Sequence, residues 1–336
     1  MEYLLISHRH GLMPLAHRLN LSGEQTNLIV WKHRFEKAWG GSLDQVIRGS
    51  KGEIRRETLD LIGEQVREGQ VTLITDVPLE KLGLEPGDGN IYGGLEGSEK
   101  PLSALRIGGW FDGSKVQSPH LLVADMGAWP GGMGPDTLGG LTLVFPNAAV
   151  VREFMEPQLE VMSLQFQEKG FRGLFSVGLS PSEDGFVEFD RMEGGWGSLH
   201  TYAFLSELEN FPALLEGSEV CQFTGGVKYV TVVPVTIPPW PNQGKALEVE
   251  IGGLTPTLTG KAFWFDVCMN GQLKTAGLDG FIAVARGAAG NYELAKARAL
   301  EIAAKLDVPE KQFRPDVGVN IPLVISTLEQ QFGIVI

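Results

Sequence analysis

Two carboxylates two residues apart, Glu188 and Asp190, lie in the alternating run Phe186-Val187-Glu188-Phe189-Asp190. Side chains of a strand alternate between faces, so Val187 and Phe189 share one face and Phe186, Glu188 and Asp190 the other. Side by side, the two carboxylates would reach one hard cation such as Mg²⁺, which takes carboxylate oxygens and substrate phosphates as ligands. The same alternation also describes a half-buried strand with a solvated acidic edge. Arg191-Met192-Glu193-Gly194-Gly195-Trp196-Gly197 follows and reads as a glycine-rich loop, where backbone can approach a ligand closely.

A second set of candidates stands near the start. His8, Arg9 and His10 follow an apolar run, Tyr3 to Ile6, and precede a helical pattern. Three such side chains beside a helix N-terminus could hold an anion, or could be incidental on a surface loop. His120 and His200 have no metal-ligand spacing to Cys or His and read as hydrogen-bonded structural histidines. Trp110, Trp129, Trp196 and Trp240 sit beside glycines or prolines. They fit either loops packed on the core or a stacking wall or subunit interface.

These residues need elements to position them. Strands are expected at 3–6, 26–31 and 71–75, with helices at 12–20 (Pro14 in the first turn) and 53–69. Such alternation predicts a small parallel sheet with ligand contacts at the strand C-termini. Residues 83–100 are rich in glycine and read as loop, with a boundary near 85. Antiparallel strands follow over 102–126, turning at Asp112-Gly113. A long helix is expected over 148–169, kinked or split by Pro157. A strand at 171–179 should pair with 186–190, and helix 199–215 should break at Pro212. From about 225 come strands at 229–235, 246–251, 261–268 and 281–285, and a helix at 292–306. Residues 237–241, with three prolines, cannot be a central strand. The apolar end, Phe332 to Ile336, should pack as an edge strand.

Composition narrows the class. The chain has 336 residues, 43% hydrophobic and 21% charged, with a net charge of −13 from 28 basic and 41 acidic residues. That balance argues against a nucleic acid or membrane surface as the main partner. Two cysteines, Cys221 and Cys268, do not make a disulfide framework, and the cytoplasm is the expected compartment.

Ala124-Asp125-Met126-Gly127-Ala128-Trp129-Pro130-Gly131-Gly132-Met133-Gly134 resembles the Gly-Asp-x-Gly-Pro-Asn-Thr-Gly-Gly-Met-Gly segment of phosphoribosylamine–glycine ligase (glycinamide ribonucleotide synthetase). As in that family, a long helix follows, then a glycine-rich strand, here Gly173 to Leu179, then Val187-Glu188-Phe189-Asp190 in place of Glu-Phe-Asn. Order and spacing agree over residues 100–215. Arg314-Pro315-Asp316-Val317-Gly318 resembles the family's Arg-x-Asp-Ile-Gly, and Val71 to Leu79 its strand before Gly-Pro-Glu-x-Pro-Leu.

The resemblance implies an ATP-grasp architecture in reduced form, mixing α/β and α+β. Residues 1–84 would be the N-terminal parallel-sheet (pre-ATP-grasp) domain. Residues 85–224 would be a truncated core lacking the ATP-binding subdomain, and 225–336 a C-terminal α+β module. It further implies Mg²⁺ at Glu188 and Asp190, ATP as cofactor, and substrate contacts from Asp125, Gly131, Gly132, Met133, Gly134, Arg9 and Arg191. The family inserts a whole subdomain where only residues 84–105 stand here. Its Arg after the metal motif falls at Met192, and its Asn at Trp129. Two functions follow. One is a small-molecule-binding or assembly protein without full ligase chemistry, its partner a phosphorylated or amino-acid-like ligand or further copies of itself. The other is an ATP- and Mg²⁺-dependent carbon–nitrogen ligase of purine biosynthesis.

Overall fold

The computed structural model describes residues 2–333 apart from 8–10, 31–55, 95–103, 136, 138, 146–147, 182–186, 218–219, 243 and 271, and for 187–194 it describes the course of the backbone alone. Two sheets carry the architecture.

The first is parallel. β1 (Glu2–Ser7), β2 (Gln25–Val30), β3 (Thr72–Thr75) and β4 (Ile91–Gly93) lie in the order β2-β1-β3-β4. The strands are nearly continuous apolar runs because helices cover both faces. α1 (Met13–Leu21) buries Leu15, Ala16 and Leu19 beneath Tyr3, Leu5 and Leu28. α2 (Arg56–Arg67) packs Ile62 and Val66 against Leu4, Ile6 and Leu73. β4 falls in the stretch expected to be loop. Three residues are too few to show a period, and glycines flank them. They pair because Ile91 and Tyr92 are buried, and the Tyr92 hydroxyl donates to the Leu215 carbonyl at 2.7 Å.

The second sheet is antiparallel, with eight strands. β5 (Leu105–Phe111), β6 (Val116–Asp125), β7 (Gly140–Val144), β8 (Gly173–Pro181), β9 (Val187–Gly194), β10 (Tyr229–Thr236), β11 (Ala262–Trp264) and β14 (Phe281–Ala289) take the order β11-β14-β10-β7-β6-β5-β8-β9. β12 (Val267–Asn270) and β13 (Gln272–Thr275) form a separate hairpin. The division expected at 225 therefore falls inside this sheet, where β10 hydrogen-bonds β7. Residues 94–104 alone connect β4 to β5.

Alternation sorts the sheet's side chains between two cores. Ile107, Leu121, Val144, Phe175 and Val177 face α3 (Ala148–Glu168) through Met155, Leu159, Met162 and Phe166. Leu122, Leu143, Leu174, Val230 and Val232 face α4 (Leu199–Leu205) and α5 (Phe211–Leu215). After a single turn, α6 (Pro256–Thr259), comes α7 (Tyr292–Lys305), which lies on β14 and β10 and ends the first core with Ala295. Gly287 permits that approach, since a Cβ there would meet the Ala295 carbonyl oxygen at 2.2 Å. Pro234 sits within β10 opposite Val284, but β7 stops pairing at Val232, so the missing N–H forfeits no bond to β7.

The structure departs from the sequence expectations at local punctuation. α3 is one helix, not two. Pro157 forfeits its own N–H bond, yet the turns on either side are held by buried Met155, Leu159 and Met162. The break after α4 comes at 206–210, and Pro212 opens α5 in its first turn, where no N–H is needed. Residues 246–251 form no strand, only one isolated bridge, Glu250 to Lys274. Phe332 ends a helix, α8 (Ile321–Phe332), rather than an edge strand, and 334–336 lie outside the described residues. No helix among the described residues is long and apolar enough to cross a membrane.

Phe166 closes the first core, with ring centroids 5.1, 4.9 and 4.7 Å from Phe111, Phe171 and Phe175. Phe166→Ala is expected to cost about 3–5 kcal/mol in urea-unfolding free energy. A loss under about 1 kcal/mol would mean this aromatic cluster is not the packing centre.

Candidate functional site

β6 ends at Asp125, which is 1% exposed. The chain then turns through a loop that only glycine permits. A Cβ on Gly127 (φ +80°) would meet the Gly132 carbonyl oxygen at 2.6 Å, and one on Gly134 (φ +82°) the Trp129 ring at the same distance. The loop is cross-tied by the Trp129 N–H to the Met133 carbonyl at 3.0 Å.

A distant segment locks it. Gly318 N–H donates to Asp125 Oδ2 at 2.7 Å. Arg314, 3% exposed, donates from Nη1 to the Met126 carbonyl at 2.7 Å. Its Nε and Nη2 grip Asp316 Oδ1 and Oδ2 at 3.0 and 2.9 Å, a bidentate fork. Asp316 Oδ2 in turn accepts from the Gly131 N–H at 2.8 Å. The bond from Arg314 is the main cause holding the Asp316 carboxyl below its usual range. Burial pushes the Asp125 carboxyl up, against the bond from Gly318 and the charge of Arg314. Asp125 Oδ1 is buried without a hydrogen-bond partner. Beside the loop lies a cleft of about 300 Å³ walled by Trp129, Pro130, Thr236, Trp240, Phe313 and Arg314.

Among solved structures, the chain is similar to phosphoribosylamine–glycine ligase from Thermotoga maritima, with a TM-score of 0.58 and 13% identity over 94% of this chain and 100% of that one. It is also similar to the urea carboxylase of Kluyveromyces lactis (TM-score 0.57, 8% identity, 99% and 32% of the two chains). A third likeness is to the pyruvate carboxylase of Rhizobium etli (TM-score 0.57, 10% identity, 91% and 33%). The fold is ATP-grasp-like. This chain spans about a third of the two carboxylase chains. No protein-family model matches the sequence, and no curated protein matches it.

In this ATP-grasp-like frame, Asp125, Gly131, Gly132, Met133 and Gly134 fall together in the β6 loop. Arg9 lies outside the described residues. Glu188, Asp190 and Arg191 lie on β9, the edge strand, and the segment read as a loop from Arg191 continues as strand to Gly194. Between the pairs Leu179↔Phe189 and Val177↔Met192, β9 carries one residue more than β8, a bulge at Asp190-Arg191. Pairing with β8 overrides the glycine content there. Among the described residues no group of three or more His, Cys, Asp or Glu could hold a metal ion. Arg314, Asp316 and Gly318 were not among the expected site residues. Their signal was the short Arg-x-Asp-x-Gly resemblance near the end of the chain.

The first loop begins and ends on fixed points. Ser7 Oγ donates to Asp76 Oδ2 at 2.8 Å and accepts from the Leu12 N–H at 3.2 Å, while the Tyr202 hydroxyl donates to the Gly11 carbonyl. These contacts gather the C-terminal ends of β1 and β3 against the Gly195–Gly197 turn, where a Cβ on Gly11 would meet the Gly197 carbonyl oxygen at 2.9 Å.

His120 and His200 face each other, Nε2 to Nε2 at 2.7 Å, fully enclosed between β6 and α4. His120 Nδ1–H donates to the Ser118 carbonyl at 2.8 Å, so His120 Nε2 must accept and His200 Nε2–H must donate. That leaves His200 Nδ1 bare, and it has no partner. Gly108 and Gly195 make the room, since a Cβ at either would come within 2.8 Å of a ring. Burial lowers both rings, His120 to about 4 and His200 well below the ordinary histidine range.

Two outcomes follow from these arrangements. In an NMR titration the His120 and His200 rings should stay neutral well below pH 6, and midpoints near 6.5 would mean the pair is hydrated. Arg314→Met should free the loop, raising hydrogen exchange at the Gly131 amide at least tenfold, and unchanged exchange would mean the fork is dispensable.

Proposed function

We propose that the chain is a descendant of the ATP-grasp ligases that binds a small phosphorylated or amino-acid-like ligand in the cleft beside Asp125 and does not complete ligase chemistry. The observation that carries this is the braced loop. Asp125, Asp316, Arg314 and Gly131 hold one another in a fixed geometry, and one buried carboxylate oxygen is left with its acceptor capacity unused. A buried acceptor left bare costs about 1–3 kcal/mol, which a ligand ammonium or hydroxyl reaching it would recover. Trp129 and Trp240 would cover the ligand's flat or apolar part.

The loss of ligase chemistry is supported by the short passage over residues 94–104, where a nucleotide-clamping subdomain would have to be inserted. Without it, few groups remain to position and neutralise a triphosphate. The second reading is an ATP- and Mg²⁺-dependent carbon–nitrogen ligase of the phosphoribosylamine–glycine ligase type. There Glu188 and Asp190 would hold the cation, which would offset charge during phosphoryl transfer. The solved-structure likeness to that ligase keeps this reading in view.

Thermal melts separate the two. Ribose 5-phosphate or glycine at saturating concentration should raise Tm, since a ligand at a hundredfold its Kd adds about 2.7 kcal/mol. Asp125→Asn, nearly isosteric, should abolish the glycine shift, and Mg-ATP should give no shift that depends on Glu188 and Asp190. A Mg-ATP shift that disappears in Glu188→Ala with Asp190→Ala, with ATP cleaved to ADP and phosphate as glycine and phosphoribosylamine are joined, would establish the ligase instead.

A further inference from the structure

A second and larger cleft, of about 750 Å³, opens between α7, α6 and the end of β14 and shares no residue with the cleft beside Asp125. Its chemistry contrasts with that of the whole chain. Arg286, Lys261, Arg298 and Lys305 line it against Glu207 and Glu301, an excess of two positive charges in a protein whose net charge is −13. In a concave wall such an excess is focused rather than diluted.

The cations are held on fixed supports. Arg286 Nη1 donates to the Ser206 carbonyl at 3.0 Å and to Glu207 Oε1 at 2.6 Å. Behind it Arg18 donates to the Leu205 and Leu208 carbonyls, so two guanidiniums gather at the end of α4 around one carboxylate. Burial, and after it the charge of Arg286, lowers Arg18 to about 10, so it stays a cation at neutral pH. Arg298 Nη1 donates to the Ala288 carbonyl at 2.5 Å, and both residues line the cleft.

Thr224-Gly225-Gly226 lines the same cleft. Gly226 is left-handed (φ +78°), and a Cβ on either glycine would meet nothing within 4 Å. The amides of Gly225 and Gly226 donate to nothing among the described residues. A bare glycine turn lining the same cleft as a cationic wall is an arrangement that takes phosphate oxygens, by hydrogen bond from free amides and by charge. We infer that this cleft binds the phosphates of a small polyphosphate or phosphorylated ligand, of up to nucleotide size, independently of the Asp125 site.

Calorimetric titration of the full chain with inorganic tripolyphosphate, without divalent cation, tests it. Binding is expected, weakening as salt rises because screening acts on these charges. The double variant Lys261→Gln with Arg298→Gln removes two exposed side chains and should leave the melting curve in place while weakening binding at least tenfold. Arg314→Met, and Glu188→Ala with Asp190→Ala, should bind as the parent does, which separates this cleft from the sites of the proposed function. No heat with tripolyphosphate, or equal affinity in the Lys261/Arg298 variant, would overturn the inference. Citrate binding as tightly as tripolyphosphate would overturn the assignment to phosphate.

Discussion

The buried guanidinium of Arg314 is the constraint on which the site depends. It reaches from near the end of the chain to the carbonyl of Met126, with Asp316 gripped on its other edge. A charge so enclosed is tolerable only if every donor finds an acceptor, because desolvation costs several kcal/mol per ion. Here the fork takes both Asp316 oxygens, and Asp316 passes one on to the Gly131 amide. The salt link is therefore a means of fixing loop geometry more than a source of stability.

That link requires the eight-stranded sheet to be one piece. β10 lies between β7 and β14, so the segment after α7 returns alongside the end of β6. Thr236 and Gln312 exchange backbone bonds, at 2.9 and 2.8 Å, on the way. Val317 packs where only Gly140 leaves room, since a Cβ there would meet Val317 Cγ2 at 2.4 Å. The small residues of the loop and the far segment are thus two halves of one fitted contact. The short strand β4 ties the parallel sheet in from the other side, through Tyr92 stacked on Trp110 at 5.6 Å.

Much of this was legible in the chain, and what was not has definable causes. Strands built from Tyr3-Leu4-Leu5-Ile6 or Leu121-Leu122-Val123 announce themselves by composition, and α7 by its run of Ala, Leu and Lys. The Asp125 loop was visible because its glycines are demanded by positive φ and by contacts no Cβ could make. The pairing of that loop with Arg314 was not, because a contact across nearly two hundred residues leaves no local period. The same holds for His120 and His200. No rule of sequence could show that two rings from β6 and α4 share one hydrogen bond. Pro157 does not split α3, and Pro212 opens α5 after the break instead of making it, because a proline's effect depends on position within the helix. It opens α5 without loss, and in α3 the packed flanks carry the helix through.

The buried titratable groups pull in opposite directions as the solution is acidified. For the histidine pair, the folded state resists protonation while the unfolded chain accepts it near pH 6.5, so stability falls as pH drops below that value. Asp266 behaves in reverse. Its carboxylate is buried, accepting from Leu278 and Gly280 N–H at 2.9 and 3.1 Å, and burial raises it to about 6. The folded state then takes up the proton before the unfolded chain does, so stability gained from this group grows as pH falls from above 6 toward 4. Asp125, also raised, adds in the same sense. The histidine loss begins at the higher pH, and the carboxylate gain offsets it lower down. Between pH 6.5 and 4 the enclosed histidines and the enclosed carboxylates therefore act on stability in opposite senses.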